Sequence, residues 1–150
     1  PDGTKLARYN ARDDLRIFDL DRCTGTLSNP VFVAMDNDAH IEILSGMAWS
    51  ADSRFIYCAE NLRLLQFDAL APDIGASMQV VAEAEPPVCP FSGTIGFMEL
   101  GPDGIIYNRP YNGQNCMHRI LYPERPGLAC EMQQNYYQFD YPYANMPHFP

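Results

Sequence analysis

Three times along this chain an aspartate in a tight polar turn precedes a short apolar run, at nearly constant spacing. The fullest copy is Gly46-Met47-Ala48-Trp49-Ser50-Ala51-Asp52-Ser53-Arg54-Phe55-Ile56-Tyr57-Cys58. It returns as Gly96-Phe97-Met98-Glu99-Leu100-Gly101-Pro102-Asp103-Gly104-Ile105-Ile106-Tyr107, and the chain opens on Pro1-Asp2-Gly3, the same turn without its first strand. Two apolar runs joined by such a turn read as a β-hairpin. The turn aspartates Asp2, Asp52 and Asp103 stand 50 and 51 residues apart, a period that belongs to stacked supersecondary units rather than to one closed domain.

The segments between the hairpins support this reading. In the first unit, residues 5–9 and 15–20 alternate as strands, residues 21–25 turn, and residues 31–35 form an outer strand before the acidic loop Asp36-Asn37-Asp38. In the second, residues 62–68 end in a Phe-Asp pair that echoes Phe18-Asp19, residues 78–82 supply the outer strand, and a proline-broken linker fills 83–90. In the third, residues 117–121 replace the Phe-Asp strand and the outer strand is poorly marked. No segment shows helical periodicity. The expectation is an all-β chain, a β-propeller segment of about three four-stranded antiparallel blades of the WD-repeat kind, with units at 1–43, 44–90 and 91–135 and a Tyr- and Pro-rich closing tail at 136–150. Each blade has two apolar faces that it cannot cover alone, so neighbours cover each other. Propellers close with ~4 to 8 blades, which implies further blades from a longer parent chain or from other copies. The opening on Pro1 reads as a processed or excised piece.

The formal charge is −9, and such a field repels nucleic acid and anionic membrane surfaces. No apolar run approaches the ~20 residues of a membrane span, and cations, calcium included, are the better suited visitors. Five cysteines, Cys23, Cys58, Cys89, Cys116 and Cys130, with no Cys-x-x-Cys pair, point to an oxidising compartment and to disulfides among Cys23, Cys89, Cys116 and Cys130, with Cys58 a buried mid-strand residue. The spacing leaves the pairing open.

Taken together, Pro1-Asp2-Gly3-Thr4-Lys5-Leu6-Ala7, the run Asp19-Leu20-Asp21-Arg22-Cys23-Thr24-Gly25-Thr26-Leu27-Ser28-Asn29-Pro30, and the hairpin from Gly46 to Tyr57 resemble the propeller repeats of large secreted Bacteroidota proteins. Those proteins often carry gliding-motility-associated or type nine sorting domains at their C-terminal ends. The third unit, through Pro126-Gly127-Leu128-Ala129-Cys130 to Met146-Pro147-His148-Phe149-Pro150, resembles the closing part of that region. The resemblance implies export and an extracellular or cell-surface setting, and it brings no catalytic residues.

Candidate chemistry is sparse. Asp36 and Asp38, with Glu42 nearby, place hard oxygen ligands at alternating positions, as a calcium loop does, but also as an ordinary solvated turn does. Asp2, Asp52 and Asp103 form a carboxylate ring or, more simply, fix their turns together with Gly3 and Gly104 by accepting backbone N–H bonds. His40, His118 and His148 fall at unrelated positions in the repeat, without ligand spacing, and Cys116 and His118 sit too close along one strand for a nucleophile and its base. Trp49 with Tyr136, Tyr137, Tyr141 and Tyr143 offers an aromatic binding face; alternatively Trp49 packs between blades and the tail covers an end. The sequence therefore favours a non-enzymatic binding or scaffold module that meets protein or glycan at its rim loops. The alternatives are a propeller hydrolase of the lactonase kind, with a metal at the central channel, and a structural subunit of a surface assembly.

Overall fold

The computed structural model describes residues 2–11, 13–35, 45–60, 62–86, 94–110 and 115–140. Eleven strands run through them in chain order: β1 (Lys5–Asn10), β2 (Asp14–Leu20), β3 (Leu27–Ala34), β4 (Ser45–Trp49), β5 (Phe55–Glu60), β6 (Arg63–Asp68), β7 (Gln79–Glu83), β8 (Phe97–Leu100), β9 (Ile106–Arg109), β10 (Cys116–Ile120) and β11 (Met132–Gln138). A 3-10 turn, Gly127–Cys130, precedes β11. The strands form three antiparallel meanders, β1-β2-β3, β4-β5-β6-β7 and β8-β9-β10-β11. The all-β expectation is met, as three antiparallel sheets of three, four and four described strands. Among the described residues no helix is long and apolar enough to cross a membrane.

Each hairpin turn is built as its residues require. The carboxylate of Asp2 accepts a bond from the Thr4 N–H at 2.9 Å, that of Asp52 from the Arg54 N–H at 3.1 Å, and that of Asp103 from the Ile105 N–H at 3.1 Å. The residue after each aspartate is left-handed, with φ of 73° at Gly3, 62° at Ser53 and 81° at Gly104. Glycine adopts that conformation freely, whereas Ser53 does so at a cost. These aspartates are thus turn residues in all three units.

The second sheet lies between the other two. Every residue of β5 is buried, because successive side chains point to opposite faces and both faces are covered. Ile56, Cys58, Leu65 and Phe67 pack with Leu15, Ile17, Val33 and Met35 of the first unit. Phe55, Tyr57, Ala59 and Leu64 pack with Ile95, Ile106, Ile120 and Cys130 of the third.

Contacts between sheets repeat the period of the sequence. The Asp2 N–H donates to Ser53 Oγ at 3.0 Å, the Tyr9 hydroxyl to the Ala59 carbonyl at 3.2 Å, and Gln134 Nε2 to the Glu83 carbonyl at 2.7 Å, across 51, 50 and 51 residues. Gly46 faces Gly96 so closely that a Cβ on Gly46 would stand 2.1 Å from the Gly96 oxygen. Equivalent positions of successive units therefore touch, and glycine is what allows β4 and β8 to approach.

Two boundaries differ from the sequence reading. β3 begins at Leu27 and includes Pro30, which is tolerated because β3 is an edge strand. The outer strand of the third unit is well formed as β11 and reaches Gln138. Tyr136 and Tyr137 are therefore strand residues and not the start of a tail.

Candidate binding surface

The third sheet turns one face to the second and the other away. Ile106 and Ile120 point into the shared core, so alternation sends Tyr107, Arg109 and Arg119 to the far side. Register agrees: Phe97 lies opposite Arg109, Tyr107 opposite both Glu99 and Arg119, Arg119 opposite Gln133, and Met117 opposite Tyr137.

Arg119 is the hub of this face. Its guanidinium carbon lies 3.4 Å from the Tyr136 ring centroid and 5.9 Å from that of Tyr137, and its Nε donates to Gln133 Oε1 at 2.8 Å. Tyr136 meets Tyr137 edge-on with centroids 4.8 Å apart; Tyr137 meets Tyr107 at 6.0 Å and stacks on Phe139 at 6.5 Å. Tyr107 donates its hydroxyl to Asp103 at 2.7 Å. Burial, then that bond to the carboxylate, hold the Tyr107 hydroxyl well above its ordinary range, so it stays a neutral donor. Arg109 lies over Phe97 at 5.4 Å. Tyr136 is 51% exposed, and Phe97 and Phe139 are each 41% exposed, which leaves aromatic area available while the guanidinium holds it in place.

A residue that sequence reasoning set aside shapes this surface. His118 is fully buried. Its Nδ1 accepts the Asn135 N–H at 2.7 Å, and its Nε2 lies 3.1 Å from the Thr94 carbonyl, to which it donates. Asn135 is left-handed, with φ of 54°, and the pairing of β10 with β11 shifts register between Met117 and Arg119. The ring thus secures a bulge in β11 that presents the two adjacent tyrosines beside Arg119. Burial lowers its pKa to about 4. Both nitrogens are engaged, so the ring is a structural pin. The signal in the sequence was weak: a histidine in the middle of a short strand, next to Arg119.

The predicted aromatic face is divided. Trp49 belongs to the second sheet and packs against the core it shares with the first, whereas Tyr136 and Tyr137 lie on the third; Tyr141 and Tyr143 are outside the described residues. Asp36, Asp38 and Glu42 also lie outside them, and among the described residues no group of three or more His, Cys, Asp or Glu side chains is placed to hold a metal ion. Asp52, Asp103 and Glu124 do line a shallow groove of about 540 Å3 between the second and third turns, but the Asp52 and Asp103 carboxylates are engaged in those turns.

The cysteines sort by environment. Cys23 is an exposed free thiol in a turn; Cys58 and Cys130 are buried free thiols. Pairing of Cys23 or Cys130 is thereby corrected: Cys23 stands in the turn before β3, and Cys130 is fully buried in the core between the other two sheets. Cys116 is disulfide-bonded, no disulfide joins two described residues, and Cys89 lies outside them. Comparison of the chain with protein-family models and with curated proteins returns no match.

Proposed function

We propose that this chain is a non-enzymatic binding module of β-propeller type, a segment of the propeller repeats that its motifs resemble in secreted Bacteroidota proteins, working outside the cell or at its surface. The observation that carries this reading is the ordered array of Tyr107, Tyr136, Tyr137 and Phe139 around Arg119. Flat, rigid rings held by a cation bind with little loss of side-chain freedom, and such anchors dominate recognition of protein and glycan partners. A hydrolase of the lactonase kind needs carboxylates converging on a metal, whereas the described turn aspartates serve their own backbones.

The test is to probe arrays of immobilised glycans and peptides with the purified chain, then with Tyr136→Ala. A specific ligand that the variant binds roughly thirtyfold more weakly, the loss when an anchor of about 2 kcal/mol is truncated, supports the reading. A ligand bound equally by both forms removes it.

A further inference from the structure

The outer edge of the first sheet is a surface distinct from the aromatic face of the third. Among the described residues β3 pairs only with β2, so alternate N–H and C=O groups along it point away from the sheet with no described strand beyond them. Natural edges are blunted by bulges, prolines and charges. The first half of β3 has such devices: Asn29 is left-handed with φ of 49°, Pro30 has no N–H, and the register with β2 shifts nearby. Residues 31–34, Val-Phe-Val-Ala, have none, and Phe32 is 61% exposed.

Along this unguarded stretch runs a groove of about 700 Å3 lined by residues 31–34 on one side and by the loop between β6 and β7 on the other, with Ile74, Gly75 and Met78 among its walls. Consecutive strand residues point to opposite faces. A groove that touches all four therefore follows the backbone edge and not one face of the sheet. The opposite wall is fixed in advance: Asp73 accepts the Ala76 N–H at 3.0 Å, and Ser77 Oγ donates to the Ile74 carbonyl at 2.6 Å while accepting the Asp68 N–H at 2.9 Å. Asp73 is the one charged side chain of the lining, in a chain of net charge −9.

We propose that residues 31–34 of β3 form a β-augmentation site, and that its occupant is an extended peptide with apolar residues at alternate positions and a basic residue to meet Asp73. The outward-facing backbone groups of this edge suit a partner in strand conformation, since only a strand presents matching donors and acceptors. The apolar groove takes every second side chain. Asp73 and the overall negative field favour a cationic flank and repel an acidic one.

The probe is a labelled seven-residue peptide of alternating valine and threonine with a lysine at each end, titrated into the 150-residue chain and followed by fluorescence anisotropy and amide NMR. Saturable binding is expected, with shifts at residues 31–34 and 71–78. Binding weakens about tenfold or more when alternate peptide amides are N-methylated, when its lysines become glutamates, or when Met78→Asp is introduced. The N-methylated peptide leaves the protein untouched, so its result is independent of how any variant folds. The proposal is overturned by absence of saturable binding, by equal binding of the N-methylated peptide, by shifts confined to other surfaces, or by a second copy of the chain occupying residues 31–34.

Discussion

The two faces of the second sheet are buried by different chemistry. Toward the first sheet the core contact is apolar, with Ile56, Cys58, Leu65 and Phe67 against Leu15, Ile17 and Val33. The polar bonds beside it, from the Tyr9 hydroxyl to the Ala59 carbonyl and from the Asp2 N–H to Ser53 Oγ, leave no buried side-chain network among the described residues. Toward the third sheet a polar network runs through the core: the Tyr57 hydroxyl donates to the Pro123 carbonyl at 2.8 Å, and Gln66 Nε2 donates to the Tyr57 oxygen at 2.6 Å and the Arg125 carbonyl at 2.8 Å. Gln66 Oε1 in turn accepts the Gly127 N–H at 2.7 Å. An apolar face accepts any apolar neighbour of matching volume. A face carrying Tyr57 and Gln66 is satisfied only by a neighbour that places those backbone groups opposite them, because an unpaired buried polar group is costly. The first interface supplies burial; the second also selects its partner and register.

The two interfaces should respond differently to perturbation. Phe67→Ala, at a fully buried site of the apolar interface, is expected to cost about 4 kcal/mol in chemical denaturation, with amide exchange accelerating first in β1, β2 and β3. Acid should act on the other side. His118 has a folded pKa of about 4 against 6.5 unfolded, so the unfolded chain takes up the proton more readily. Its stabilising contribution is complete above pH 6.5 and is lost as the pH falls toward 4, by about 3 kcal/mol in all. Urea midpoints across that range, compared with those of His118→Gln, measure it, and exchange should quicken in β10 and β11 before β1. Gln66→Leu keeps volume but strands the Gly127 N–H and the Arg125 carbonyl, for an expected loss of about 2 kcal/mol. If it loosens the first sheet rather than the third, the assignment of selectivity to the polar face fails. The smallest effect concerns the turns that the units share. Gly104→Ala places a Cβ at φ of 81° with nothing within 4 Å of it, so only backbone strain acts, about 1 kcal/mol.

Much of the fold was legible because its signals are local. The Pro-Asp-Gly chemistry and period-two alternation marked the strands of the first two sheets and the hairpin and third strand of the last. The limit of β11 was not readable: Met132–Gln138 is largely polar, and the left-handed Asn135 disrupts the alternation that would have marked it. Faces were harder still. Trp49 and Tyr136 look equivalent as exposed aromatics in a sequence, yet which side of which sheet a ring occupies depends on register and on the neighbour that covers it. The role of His118 lies in two backbone groups, Thr94 and Asn135, at 24 and 17 residues' remove, and side-chain identity carries no trace of such partners.

The contacts that join equivalent positions 50 and 51 residues apart also bear on how the chain acquires its fold. The entropy of closing a loop grows only with the logarithm of its length, and here each interface closes a loop of the same length. Adding a unit to the array adds one more closure of equal size instead of a longer one. In chain order β1, β2 and β3 precede the hairpin at residues 45–60, and the second sheet precedes the third. Assembly can proceed in sequence order, with each finished sheet serving as the template on which the next one condenses.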